Sequence, residues 1–236
     1  MLELKKTKLK DIGFSVVICD KNVSDLIALY ELSVWLGVEF AQSTMHNSWY
    51  FHTTDNEIAD RNSVAAGMER FMTALLTSKR RGLKMRVKDW LRAYFNQRLY
   101  HYATTGYSYQ RNCTAGSDIF FLDPYGNITP CNGSDSKWIM GNLKNQSFDE
   151  IWNSPDSDKI RKMVSTCSKD CAFIGTARFD MMRNPFATAR WVMKNKLRAM
   201  RGLPLCIGSD GDGPAGVDLE EIPVVERKSQ KKLVIR

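Results

Sequence analysis

Four of the six cysteines in this 236-residue chain fall into two pairs that bracket a turn-containing stretch, and no other feature restricts the fold so tightly. The first pair, Cys113 and Cys131, is spaced Cys-x12-Gly-x4-Cys with Gly126 at the internal position. The second is the close couple Cys167-Ser-Lys-Asp-Cys171. Thiolates gathered together repel one another, so four of them from two separated segments suit a tetrahedral zinc or an iron-sulfur cluster, either of which neutralises and organises the sulfurs.

The N-terminus, Met-Leu-Glu-Leu-Lys-Lys-Thr-Lys-Leu-Lys, is charged and has no apolar core or small-residue cleavage site behind it, so it does not read as a signal peptide. No run of about 18 apolar residues exists, and no transmembrane span is expected. The chain therefore reads as cytoplasmic, where thiols stay reduced and paired cysteines serve metals or redox chemistry rather than disulfides. Hydrophobic residues make up 43% of the chain, enough for one sizeable domain or two small ones. The net charge of +8 is compatible with nucleic acid, anionic lipid or an anionic substrate, and is too diffuse to choose among them.

Residues 12–19, Ile-Gly-Phe-Ser-Val-Val-Ile-Cys, have the pattern of a strand buried on both faces of a parallel sheet, with Cys19 in its core. Ser24 is positioned to cap a helix carrying Leu26, Ile27, Leu29, Tyr30, Val34 and Trp35, which Gly37 ends before a second extended segment begins at Val38. Strand, helix and strand with short connections form the unit of parallel sheets and barrels. The polar and aromatic stretch 44–52 follows the second strand; His46, Asn47 and His52 are candidates for ligand contact there, against the simpler reading of a surface loop. Apolar three- and four-residue steps then predict helices over 57–80 and 84–100, separated at Gly82.

The segment after residue 106 changes character. Apolar runs at 119–122 and 128–129 flank Asp123-Pro-Tyr-Gly-Asn127, which predicts a β-hairpin with Cys131 at the end of its return strand. Ser147-Phe-Asp-Glu150 is a capping box opening a short helix, and Pro155 restarts a second helix running toward Cys167. Residues 178–201 hold seven Arg or Lys and one Asp among apolar positions, the pattern of a basic amphipathic helix that docks on the protein, or alternatively binds a membrane or RNA. From Gly208 onward the composition is that of a linker and a disordered tail; Asp210-Gly-Asp-Gly lacks the further ligands of a calcium loop.

The cysteine spacing, the Pro124-Tyr-Gly126 turn, Pro130-Cys131, Met140-Gly-Asn-Leu143 and Phe148-Asp-Glu-Ile-Trp-Asn-Ser154 together resemble the auxiliary-cluster domain of radical SAM enzymes, in its SPASM or shortened twitch form. The resemblance implies that Cys113, Cys131, Cys167 and Cys171 bind an auxiliary [4Fe-4S] cluster. It also implies an α/β fold: the C-terminal part of a partial (β/α)6 radical SAM barrel over 1–105, a small α+β SPASM/twitch domain with a β-hairpin and helices over 106–177, and a basic helix with a tail over 178–236. Residues 12–52 look like the last strands of that barrel, with Asn22 where family members place a residue near S-adenosyl-L-methionine.

Two departures qualify the resemblance. The full pattern continues through further cysteines, whereas here only the closing Cys-x3-Cys is present, so one auxiliary cluster is the most these thiols support, with Cys206 a spare. The Cys-x3-Cys-x2-Cys motif that binds the reactive cluster is absent from the chain. The chain therefore reads as the C-terminal portion of a longer enzyme, or a frame opening within the barrel, with roughly a hundred or more residues before Met1 at about 30 per β/α unit. In the complete enzyme the cluster would serve electron transfer or substrate anchoring during radical modification of a peptide, sugar or small molecule, with a flavodoxin or ferredoxin as electron donor. The alternatives are a structural four-cysteine zinc module, binding nucleic acid through the basic helix, and a fragment that binds nothing and exposes strand 12–19 to aggregation.

Overall fold

The computed structural model describes residues 2–9, 12–45, 47, 56–106, 113–134, 137–167 and 171–208. His46, His52 and the tail from residue 209 lie outside them. A short helix α1 (Leu2–Lys5) precedes strand β1 (Gly13–Ile18), helix α2 (Leu26–Leu36), strand β2 (Glu39–Thr44) and the long helices α3 (Arg61–Leu76) and α4 (Leu83–Thr105). The cysteine-bearing segment follows with β3 (Phe121–Leu122), β4 (Asn127–Thr129), β5 (Gly141–Asn142), α5 (Phe148–Trp152) and α6 (Pro155–Ser165). Helices α7 (Ile174–Arg183) and α8 (Pro185–Met200) complete the described elements.

β1 and β2 pair in parallel, with Phe14 opposite Phe40 and Ile18 opposite Thr44. The alternation is one-sided: Ile18, Phe40, Gln42 and Thr44 are buried, whereas Ser15, Val17 and Ala41 are exposed on the other face. The expectation of a strand buried on both faces is thus corrected, because α2 and α3 cover only one side of the sheet. Cys19 is half-buried and stands outside the core cluster rather than in it. Ser24 does not cap α2; a 3-10 turn over Val23–Asp25 leads into the helix, and Ser24 Oγ donates instead to Asp25 Oδ1 at 3.4 Å. Gly37 closes the helix in the left-handed conformation, φ 65°, as its position before β2 requires. Trp35, placed by its spacing on the apolar stripe, is largely exposed.

Below the sheet, Tyr30, Phe40 and Phe71 form a ring cluster with centroids 5.5–5.8 Å apart, and Met68, Met72, Leu75, Leu76 and Leu99 fill the space around it. α3 begins later than its apolar spacing implies because Asp60 accepts from the Ser63 N–H at 2.9 Å and fixes the first turn. Gly67 of α3 lies against Val23 so closely that a Cβ would sit 2.2 Å from Val23 Cγ2. A buried ion pair locks α4 to this core. Asp89 Oδ2 accepts from Arg80 Nε at 3.0 Å, Tyr30 Oη at 2.7 Å and Ser78 Oγ at 2.6 Å, while Arg80 also donates to the Val38 carbonyl and to Ser33 Oγ, each at 2.7 Å. Both members of the pair thus make further hydrogen bonds, the condition under which a buried ion pair is tolerated.

The basic stretch 178–201 is two helices rather than one. Pro185 has no N–H to continue α7 and opens α8, with Asn184 between them. α8 does dock: Trp191 and Val192 are buried in the same core as Phe71 and Leu99, Trp191 packs edge-on to Tyr94 at 5.4 Å, and Lys196 Nζ sits 3.6 Å over the Trp90 ring. The chain then turns back along α8, where Asn195 exchanges hydrogen bonds with the Cys206 backbone.

The cysteine-bearing segment has a second, smaller core of Ala115, Ile128, Met140, Ile151, Ile160 and Val164. β3 and β4 form the expected hairpin, Phe121 opposite Thr129, turned at Gly126 with φ 90°. β5, not foreseen from the sequence, adds an antiparallel third strand, with Gly141 opposite Ile128.

Candidate functional site

Each cysteine emerges from a short element whose local chemistry fixes its exit. Cys113 opens a turn over Thr114–Asp118 in which the Ser117 and Asp118 N–H groups donate to the Thr114 carbonyl and the Gly116 N–H to that of Ile119 at 2.7 Å. Gly116 takes φ 77° there, in the left-handed region, 3.2 Å from the Pro130 ring as measured from its would-be Cβ. This contact sets the Cys113 turn against the residue preceding Cys131. Cys131 follows β4, and its carbonyl accepts from Ser134 Oγ at 2.7 Å and from the Ser134 N–H and Thr129 Oγ1 at 3.3 Å, so the backbone folds over immediately after the cysteine.

Cys167 sits just past the end of α6, its N–H donating to the Val164 carbonyl at 3.0 Å. The helix that delivers it is placed by Ser154, whose side chain accepts from the Ser157 N–H, and by Pro155 at its first position. The preceding helix α5 carries the full capping box read from the sequence: Ser147 accepts from the Glu150 N–H, and the Glu150 carboxylate accepts from the Ser147 N–H at 2.8 Å. Cys171 lies just before α7, exposed as a residue although its sulfur is crowded by protein atoms.

Two arginines that sequence reasoning passed over tie these pieces together. Arg161 of α6 donates to the Gly116 carbonyl at 2.8 Å, the Trp152 carbonyl at 2.7 Å and Asp158 Oδ1 at 2.7 Å, and its guanidinium lies 4.7 Å over the Trp152 ring. The helix bearing Cys167 is thereby clamped to the turn bearing Cys113. Arg183 of α7 grips both oxygens of Asp118 at 2.8 Å, tying the helix that follows Cys171 to the same turn. That Arg183 contact, outweighing some loss of hydration, holds the Asp118 carboxyl below its ordinary range. Neither arginine carries a sequence signal that separates it from an ordinary solvated helical charge.

The four thiols share one neighbourhood. Desolvation, followed by repulsion from Cys131, Cys113 and Cys167, pushes the Cys171 thiol up to about 12. Desolvation also raises Cys113, with repulsion from Cys167 added and a hydrogen bond from the Ala115 N–H opposing it. Sulfurs that share a neighbourhood are a donor set that a multiply charged cation or cluster would organise. They are neighbours rather than a closed cage: among the described residues no three His, Cys, Asp or Glu side chains stand at ligating distance.

The other residues singled out from the sequence lie elsewhere. Asn22, in the connection from β1 to α2, donates from Nδ2 to the Val17 carbonyl at 2.8 Å and accepts from the Cys19 N–H at 3.0 Å, so its amide ties off the end of the strand. Asn47 pairs its amide with the Asn56 backbone, donating at 3.2 Å and accepting at 2.9 Å. Cys206 stays along α8, engaged through its backbone with Asn195.

No curated protein and no solved structure matches this chain. A family model does match: residues 113–172, from the first of the four cysteines to just beyond the last, correspond to SPASM, described as an iron-sulfur cluster-binding domain. The hairpin ending at Pro130-Cys131, the strand at Gly141–Asn142, the capped α5 and the α6 that delivers Cys167 are therefore the parts of the chain that this iron-sulfur cluster-binding family model matches.

Proposed function

We propose that Cys113, Cys131, Cys167 and Cys171 hold one [4Fe-4S] cluster, and that this chain is the C-terminal, auxiliary-cluster portion of a radical SAM/SPASM enzyme. The observation that carries the reading is the iron-sulfur cluster-binding family match over residues 113–172, which spans all four of these cysteines. With all four irons ligated by cysteine, a bound cluster of this kind would supply a one-electron carrier. The chain's own part is positional: Arg161 and Arg183 hold the Cys113 turn against α6 and α7, and the Ala115 N–H donates to the Cys113 sulfur, the type of contact that tunes a ligated thiolate.

The parallel β1–β2 unit, covered by helices on one face and open at Ser15, Val17 and Ala41 on the other, supports its placement as the last strands of a partial (β/α)6 barrel, since parallel sheets are ordinarily covered on both faces. In that arrangement the preceding barrel strands, on the same or a separate chain, would carry the Cys-x3-Cys-x2-Cys motif and S-adenosyl-L-methionine, with Asn22 near the latter. The substrate class is a peptide, sugar or small molecule, and the electron donor a flavodoxin or ferredoxin in the cytoplasm.

The test is iron, sulfide and zinc content, with a visible spectrum, on protein purified without oxygen. About four irons and four sulfides per chain with broad absorption near 400 nm supports the reading. One zinc per chain and no iron replaces it with a structural module.

A further inference from the structure

The connection from α3 to α4 and the first turns of α4 carry a positive charge that the described fold does not answer. Residues 79–88, Lys-Arg-Arg-Gly-Leu-Lys-Met-Arg-Val-Lys, include six cations and no acid. Arg80 is taken inside by Asp89, and Lys88 is held by Glu39, which Arg92 also engages. Lys79, Arg81 and Lys84 are exposed and have no ion pair among the described residues. Arg80 is anchored beneath them, and Arg86 Nε donates back to its carbonyl at 2.8 Å, so the free cations are displayed from a pinned loop. They stand at the unfavourable end of a helix. α4 runs 23 residues, its N-cap Gly82 offers no side-chain acceptor, and no acid lies in its first turn, so the positive end of the helix adds to their charge. Down one side of α4 from the same point, at four-residue spacing, Leu83 is 69% exposed, Val87 38% and Leu91 40%. This row belongs to no membrane span, since no described helix is long and apolar enough to cross one.

An apolar row beside unanswered cations fits an acidic segment with aliphatic residues, and the chain itself supplies one. Residues 209–226 contain six Asp or Glu and no Lys or Arg, and Val217-Asp-Leu-Glu-Glu-Ile-Pro-Val-Val-Glu226 interleaves four of those acids with five aliphatic side chains. From Arg227 onward the sequence turns basic again, which confines the match to that stretch. The tether is long enough. Gly208, the last described residue, lies beside α4, where a Cβ on it would be 3.5 Å from His101 Cε1. From His101 back to Val87 and Leu83 the helix rises about 21 and 27 Å at 1.5 Å per residue, and the eight residues 209–216 extend to at most about 29 Å. A segment tethered in this way is present at an effective concentration on the order of millimolar, which favours it over a separate acidic partner. We propose that residues 217–226 cover the N-terminal face of α4, their aliphatic side chains on Leu83, Val87 and Leu91 and their carboxylates against Lys79, Arg81 and Lys84. Seated there, the segment closes this cationic surface to other anionic partners. The proposal stands apart from the cluster assignment and uses none of the four cysteines.

The experiment is hydrogen exchange of the full chain, read by mass spectrometry at low and high salt. Residues 217–226 should exchange about tenfold or more slower than the same sequence as a free peptide, and should approach the peptide rate in about 0.5 M salt. Two charge reversals accompany it, Lys79→Glu/Arg81→Glu/Lys84→Glu on the patch and Asp218→Lys/Glu220→Lys/Glu221→Lys on the segment. The three cations are exposed, so helix content and thermal midpoint should match the parent. Either reversal alone is expected to bring exchange to the peptide rate, and the two combined to recover the protection. Peptide-rate exchange in the parent, protection kept in either single reversal, or no recovery in the combination overturns the proposal. Protection that rises with protein concentration, alongside a dimer in light scattering, overturns it in favour of the same segment from a second copy of the chain.

Discussion

At Cys131 the backbone does the positioning: three donors converge on its carbonyl, so the turn that follows does not depend on the sulfur. Cys131→Ala is accordingly expected to leave the hairpin folded and abolish cluster retention, since three thiolates hold a cube poorly. Cys206→Ala, on the far segment along α8, is expected to leave iron content unchanged. Iron and sulfide assays after anaerobic purification check both, and iron retained in the first variant or lost in the second overturns the ligand assignment. The Arg80–Asp89 pair is a different kind of residue-scale constraint. Asp89→Ala strands a buried guanidinium and should cost about 3–5 kcal/mol by urea denaturation. His101, half-buried at the end of α4, has its pKa lowered from 6.5 by desolvation. The unfolded chain then binds a proton more readily than the folded one, so this contribution to stability is present above about pH 6.5 and is lost as pH falls below it. Comparing urea midpoints at pH 5.5 and 7.5 for the parent and His101→Gln isolates that slope, which the variant should flatten.

Among the elements, β5 exists because of one residue without a side chain. A Cβ on Gly141 would meet Ile151 Cγ1 at 2.7 Å and Cγ2 at 2.8 Å, so only glycine lets the strand lie on α5. Gly141→Ala is expected to cost about 1–3 kcal/mol, and distinctly less in an Ile151→Ala background, a coupling that a double-mutant cycle in urea reads directly. Met140-Gly-Asn-Leu143 was legible as part of a family resemblance, but its reason, a strand-to-helix contact, needs the third dimension. The capping box at Ser147 and Glu150, the Gly126 turn and the helix start at Pro155 were legible for a simpler reason: each is decided within four residues. The break at Asn184-Pro185 was equally local, but the basic amphipathic pattern runs straight through it and masks it.

For the whole molecule, two hydrophobic cores divide the labour. The larger holds α2, α3, α4 and α8 around the Tyr30–Phe40–Phe71 rings, and the smaller holds the cysteine turns around Ile128 and Ile151. If the cluster fastens only the smaller one, withholding iron should weaken hydrogen-exchange protection across β3–α6 and leave α3 and α4 unchanged; equal loss in both would show that the cores unfold together. The sequence alone determined which thiols make up the candidate site, because ligand type and spacing are properties of the chain, and it determined the elements whose signals are local: caps, turns and helical periods. Only the tertiary structure decided that Arg161 and Arg183 are clamps and not solvated charges, that the β1–β2 sheet is covered on one face, and that α8 hides Trp191 while exposing Phe186. Those outcomes depend on which surfaces meet across dozens of intervening residues, and an arginine or an apolar stripe has the same sequence pattern whether its partner is water or protein.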